Sequence, residues 1–116
     1  MFFPFHTRIY LAGGNTDMRK SINGLSILVS EHLEMDPLSG HLFVFSNRRR
    51  NMIKVLYWDR TGFCLWQKRL EKQYFTWPTS SAEVSEIDHR QLSWIMEGLD
   101  IGRVSGHAAL EYATVY

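Results

Sequence analysis

Three apolar, aromatic-rich runs separated by short polar turns occupy the middle of this chain, and they limit the folds open to it. The runs are residues 41–46, 52–59 and 63–70, and only residues 47–51 and 60–62 separate them. Runs of this length with turn residues at such close spacing are typical of consecutive hairpins. The middle of the chain is therefore predicted to form an antiparallel β meander.

Three shorter strands are expected outside this block. Residues 8–12 form one and end at a sharp turn, because Gly13 and Gly14 tolerate positive φ. Residues 74–77 form another that stops at Pro78, which cannot donate to a strand ladder. Residues 84–87 are expected to add an edge strand.

Two helices are predicted around the strands. The first is capped by Thr16 or Asp17, because apolar side chains recur at helical spacing from Met18 to Leu33, and it ends at Asp36-Pro37. The second is short and begins at Asp88, with Gln91 in the position that completes a capping box.

The predicted fold class is α+β: a twisted antiparallel β meander of four to six strands, with one helix packed on a face and a short C-terminal helix. Residues 1–101 are expected to form a single domain, and residues 102–116 a weakly structured tail. Side chains alternate along a strand, so both sheet faces carry aromatic residues. The expected centre of the core is Phe43, Phe45, Leu56, Trp58 and Trp66.

Composition excludes several protein classes. A chain of 116 residues is long enough to bury a core without covalent cross-links. No stretch approaches the roughly 18 apolar residues of a membrane-spanning helix, and residues 1–5 lack the features of a signal peptide. The single cysteine, Cys64, excludes an intrachain disulfide and a cysteine-based zinc cluster, and it fits a cytoplasmic protein.

Positive charge is concentrated in one segment. Residues 48–72 hold eight basic and two acidic side chains, a balance of +6, whereas the remaining residues hold five basic and ten acidic ones, a balance of −5. A basic face on an otherwise acidic protein is what a polyanion would select. The alternative is that these charges only keep exposed strands and turns soluble.

The predicted nucleic-acid contacts come from this segment and from the start of the first helix. Arginine suits phosphate recognition because its planar guanidinium forms paired hydrogen bonds. A helix N-terminus also offers backbone N–H groups to a phosphate. The alternative is that the two basic side chains there extend into solvent or pair with Asp17. The first-rank candidates are Arg48, Arg49, Arg50, Lys54, Lys68 and Arg69, and the second-rank ones are Arg19 and Lys20.

Aromatic residues offer a second kind of contact. Tyr57, Trp58 and Trp66 would stack on bases if they were exposed, and would otherwise pack in the core. The five histidines are scattered and the aspartates stand mostly at caps and turns. The sequence therefore predicts neither a metal site, nor a cofactor, nor a catalytic constellation.

Several motifs in fixed order resemble a known family. They are TDMRKSINGL (16–25), the stretch from DPLSGHLFVFSNRRR through IKVLYWD to KRLEK (36–72), and FTWP (75–78). Together they resemble the small accessory protein of insertion sequences of the sixty-six type, the product of the second open reading frame, called TnpB in that context. The resemblance spans roughly residues 7–100.

This resemblance implies a bacterial protein of a mobile genetic element, encoded beside a separate, larger transposase that carries the catalytic acids. The expected function is non-enzymatic support of DNA transposition and recombination, by binding DNA, the transposase, or both through the basic hairpin. A protein-interaction module that docks the transposase without touching DNA is the alternative, and a small enzyme is a third hypothesis. The sequence leaves the oligomeric state and any DNA sequence preference open.

Overall fold

A five-stranded sheet forms the centre of the protein in the computed structural model, which describes residues 6–77 and 83–97. The strand order across the sheet is β4-β3-β2-β1-β5. The strands are β1 (Ile9–Ala12), β2 (Leu42–Ser46), β3 (Met52–Asp59), β4 (Gly62–Arg69) and β5 (Val84–Ile87). Together with two helices they confirm the predicted α+β class.

The sheet is mixed because β1 pairs in parallel with β2. Strands β2, β3 and β4 form the predicted antiparallel meander, and β5 pairs antiparallel with the other edge of β1. A parallel pair needs a long crossover connection, usually helical, and the first helix supplies it here. Residues 74–77 were predicted as a strand, but within the described residues they belong to none.

The first helix, α1 (Ile22–Ile27), is shorter than predicted and continues as a π-helical turn (Leu28–His32). The turn ends with the N–H of Leu33 donating to the carbonyl of Leu28, five residues earlier, at 3.0 Å. The N-cap residue of α1 is Ser21.

The predicted helix start at Thr16 or Asp17 is wrong because both residues have other partners. The Thr16 N–H donates to the Ser46 carbonyl at 2.9 Å, which ties it to the end of β2. The Asp17 carboxylate accepts from the Arg19 N–H at 2.9 Å, so it stabilises a local turn and does not cap the helix.

The final helix, α2 (His89–Met96), begins as predicted. The Asp88 carboxylate accepts from the Gln91 N–H at 2.7 Å, and the Gln91 side chain accepts from the Asp88 N–H at 2.9 Å. This reciprocal pair confirms the capping box.

Each face of the sheet is covered by a helix. One core layer joins the sheet to α1 and the π-helical turn, and it contains Ala12, Leu25, Val29, Leu33, Phe43, Phe45 and Leu56. The other joins the sheet to α2 and to Phe75, and it contains Ile9, Leu11, Leu42, Val44, Ile53, Val55, Phe75, Ile87, Leu92 and Ile95.

Three of the five residues expected at the core centre are fully buried, namely Phe43, Phe45 and Leu56. Trp58 and Trp66 are only half-buried, because Trp58 lies near the end of β3 and Trp66 lies on the edge strand β4. Residues 102–116 lie outside the described residues, so the predicted domain boundary stays a prediction. Within the described ranges, no helix is long and apolar enough to cross a membrane.

Candidate nucleic-acid interface

The β2–β3 connection and the C-terminal end of β4 lie at the same end of the sheet. The register sets Met52, the first residue of β3, opposite Arg69, the last residue of β4. The β2–β3 connection, residues 47–51, is called the arginine loop below. Arg60, although part of the same basic run in the sequence, lies at the opposite end of the sheet, in the β3–β4 turn.

Asn47 organises the arginine loop from within. Its side-chain carbonyl accepts from the N–H groups of Asn51 and Met52, both at 3.1 Å. Its side-chain amide Nδ2 donates to the side-chain oxygen Oδ1 of Asn51 at 2.6 Å. The Arg50 N–H donates to the Asn47 backbone carbonyl at 3.2 Å, closing a tight turn around the two residues between them.

The segment after β4 supports the arginine loop from outside. The Phe75 N–H donates to the Arg50 carbonyl at 2.6 Å. The Arg50 guanidinium lies 5.2 Å from the centre of the Trp77 ring, a cation–π contact, and Trp77 Nε1 in turn donates to the Ala12 carbonyl at 3.2 Å. Burial lowers the pKa of Arg50, whose backbone is left-handed at φ 58°. Arg50 is therefore held in place by the fold.

Arg48 and Arg49 are the exposed tip of this rigid loop. Within the described residues, neither guanidinium is engaged by a hydrogen bond or an ion pair. Their backbone is ordered by the contacts of Asn47 and Arg50, while their side chains remain available. This combination suits a phosphate contact, because little backbone entropy is lost on binding.

Lys54 is buried and already occupied. Only 6% of it is exposed, and its ammonium donates to the carbonyls of Met18 and Lys20, each at 2.8 Å. Lys54 therefore fastens the segment before α1 to the face of the sheet. This satisfies a charge that would otherwise be costly to bury.

Lys54→Met should lower the free energy of unfolding by about 1.5–3 kcal/mol, the usual loss when hydrogen bonds to a charged group are removed. Methionine keeps the apolar stem, so the change isolates the ammonium. Urea unfolding monitored by tryptophan fluorescence measures the loss. The exposed Lys72→Met is the control and should stay within about 0.5 kcal/mol of the wild type. Equal stabilities for the two variants would contradict the structural role.

Arg19 is paired at the surface with Asp17. Its Nε and Nη2 donate to the two carboxylate oxygens, with an Nη2–Oδ2 distance of 2.7 Å. The pKa of Asp17 is lowered to about 2. The largest cause is hydrogen bonding from the Arg19 side chain, and the next is the hydrogen bond from the Arg19 backbone N–H. The neighbouring Lys20 is exposed, and within the described residues its ammonium has no partner. Of the two expected explanations for Arg19, pairing with Asp17 is the one observed.

The Asp17–Arg19 pair should persist to strongly acidic pH. Since the folded pKa of Asp17 is below its unfolded value of about 3.9, the pair stabilises the fold above pH of about 4 and is lost as the pH falls toward 2. NMR titration of the Asp17 carboxyl carbon measures the pKa. Arg19→Ala should return it toward about 3.9. An unchanged pKa in that variant would show that the Arg19 side chain is not the cause.

Lys68 and Arg69, at the end of β4, also have partners. The Lys68 ammonium donates to the Met96 carbonyl at 2.8 Å, where the positive charge stabilises the end of α2. The Arg69 guanidinium pairs with Glu71 at 3.1 Å, and both side chains are largely exposed. An exposed pair of this kind is weak, so Arg69 can exchange its partner for a phosphate.

The candidates thus differ in how far their charged groups are already engaged. Arg48, Arg49 and Lys20 have no described partner, Arg19 and Arg69 hold exposed and exchangeable pairs, and Arg50, Lys54 and Lys68 stabilise the fold. Sequence reasoning missed the residues that order the arginine loop. The signal available for them was the FTWP motif and the asparagine at each end of the arginine run.

A cavity of about 290 Å³ lies between β4 and α2 and is bordered by Trp66, Lys68, His89, Met96 and Glu97, among others. His89 Nε2 is 3.1 Å from the Thr7 carbonyl, and Lys68 is bound to Met96. In the described parts of the chain, no three His, Cys, Asp or Glu side chains lie close enough to hold a metal ion.

Comparison with known proteins gives the family. The profile of a family described as "IS66 Orf2 like protein" matches residues 7–106. The chain is similar to the uncharacterized proteins y4hO and y4jC of Sinorhizobium fredii strain NGR234. It is 39% identical to y4hO over 95 residues, covering 82% of this chain and 83% of that protein. It is 35% identical to y4jC over 97 residues, covering 84% and 83%. No solved structure matches the chain significantly. The chain belongs to the family of IS66 Orf2-like proteins.

Proposed function

We propose that this protein binds duplex DNA through the arginine loop, and that it acts in this way together with a separate transposase. Membership of the IS66 Orf2-like family supports an accessory role in transposition. The proposal adds a physical contact to that role. Arg48 and Arg49 bind phosphates, and Lys20, Arg19 and Arg69 extend the contact along the same end of the protein.

The proposal rests mainly on one observation: the backbone of the arginine loop is held in place, whereas the side chains at its tip are unpaired within the described residues. Asn47, Phe75 and Trp77 hold the loop backbone and Arg50, yet Arg48 and Arg49 extend from it without a described partner. A loop that served only solubility would not require such support. Each planar guanidinium on this fixed backbone can form paired hydrogen bonds with phosphate oxygens.

Such a contact should be weak and insensitive to sequence. Phosphate contacts position a protein on DNA but carry no base information. A few of them give dissociation constants near 10⁻⁴ to about 10⁻⁶ M at physiological salt. Transposase bound to the same DNA would strengthen the assembly, because two linked weak contacts gain from effective concentration.

The test is a titration of the protein into fluorescent duplex DNA, measured by anisotropy at low and at physiological salt. One duplex carries the end of the element and the other an unrelated sequence, and each titration is repeated with transposase present. We expect weak, salt-sensitive binding to both duplexes and tighter binding with transposase. Binding to transposase alone, with no DNA contribution at low salt, would overturn the proposal and favour the protein-interaction module.

A further inference from the structure

The outer edge of β4 is a long row of backbone groups with no described partner. β4 is eight residues long and is the last strand on its side of the sheet. Just past the end of β4, the Leu70 N–H donates to the backbone carbonyl of Asn51, which precedes β3. The even-numbered residues of β4 therefore direct their backbone N–H and C=O groups toward β3. The odd-numbered residues, Phe63, Leu65, Gln67 and Arg69, therefore direct their N–H and C=O groups outward.

Proteins usually protect such an edge with charge, proline, a bulge or short length. From Thr61 to Gln67 the chain has no charged residue and no proline. The other edge strand, β5, is protected, since it has only four residues and carries a charged side chain. Its Glu86 forms an ion pair with Arg8, with an Nη1–Oε1 distance of 3.9 Å. The two edges therefore differ, and only β4 has the features of a pairing surface.

The side chains of β4 point to the same conclusion. Phe63, Leu65 and Trp66 are all half-buried and lie on both faces of the sheet. A strand added along this edge would cover their exposed portions on both sides.

We propose that two copies of this chain pair antiparallel through the outer edges of β4 and form one continuous ten-stranded sheet. A second copy fits this edge in the antiparallel orientation, because the uncharged stretch from Thr61 to Gln67 then lies along the same stretch of its partner. Residues 68–72, at the C-terminal end of β4, hold three basic side chains and one acidic one, whereas Asp59 and Arg60 balance each other at its N-terminal end. A two-fold axis places each basic end beside the balanced end of the partner and keeps the two basic ends apart.

Gln67→Pro tests the pairing. Gln67 is exposed and its N–H points outward, so proline removes a bond of the dimer and none of the monomer. Gln67→Ala is the matched control because it removes the same side chain and keeps the N–H. Sedimentation velocity over a wide concentration range should give a dimer for the wild type and Gln67→Ala, and a monomer for Gln67→Pro. A wild type that stays monomeric at every concentration would overturn the proposal.

Amide hydrogen exchange of the wild-type protein tests the same surface without any substitution. In the dimer, the N–H groups of Phe63, Leu65 and Gln67 are protected, and their protection increases with protein concentration. In a monomer they exchange fast while those of Cys64 and Trp66 stay protected by β3. Protection of these groups in a sample that sedimentation shows to be monomeric would show that the edge is covered within one chain, which contradicts pairing. These measurements contain no DNA, so their result is independent of the proposed DNA contact.

Discussion

Replacing Arg48 and Arg49 together by alanine should remove most of the DNA affinity and flatten its salt dependence. The slope of log K against log salt should fall by about 1.8, because each lost phosphate contact contributes about 0.9. Folding should be nearly unchanged, since both side chains are exposed and without a described partner. Anisotropy titrations at several salt concentrations measure the slope, and thermal unfolding verifies the fold.

The control is the double substitution Arg60→Ala with Arg90→Ala. It removes the same amount of charge from two exposed arginines, but at the opposite end of the sheet, beside the β3–β4 turn and the start of α2. It should lower affinity only slightly, through long-range electrostatics. Equal effects of the two double variants would mean that net charge, and not the arginine loop, determines binding.

Phe45→Ala should lower the free energy of unfolding by about 3–5 kcal/mol, the usual loss when a large aromatic core residue is truncated. Phe45, on β2, is fully buried in the core layer between the sheet and α1. Urea unfolding with a linear extrapolation gives the free energy.

Trp58→Ala is the informative comparison because sequence reasoning placed this ring at the centre. Trp58 is only half-buried and contacts Phe63 edge-to-face, with 5.1 Å between the ring centroids. Its substitution should cost less than that of Phe45, about 1–3 kcal/mol. A larger loss for Trp58 than for Phe45 would contradict the observed distribution of the core.

Local patterns predicted the elements whose bonds are themselves local. The β2–β3–β4 hairpins and the capping box of α2 follow from turn residues and from partners three residues apart. The parallel pairing of β1 with β2 joins Ile9 to Leu42, far along the chain. No short-range signal specifies such a pair, so it was not anticipated.

The difference between local and long-range contacts also explains why the candidate interface was predicted only in part. A run of three arginines predicts a basic loop, but it cannot show that Arg50 differs from its neighbours, since the difference lies in Trp77 and Phe75. Lys54 resembled a surface cation because its partners are backbone carbonyls, which every sequence contains and no motif reveals. The proposal that Arg48 and Arg49 contact phosphates therefore depends on the fold as much as on the charge pattern.

The position of β1 also has a consequence for how the protein is made. β1 can pair with β2 soon after residue 46 leaves the ribosome, but its other neighbour, β5, is synthesised only near residue 87. Until then the backbone N–H and C=O groups along one edge of the apolar strand β1 are unpaired. Unpaired strand edges tend to pair with other chains and so promote aggregation. A product of premature termination before residue 84 should therefore accumulate as aggregate, whereas the complete chain closes its own edge.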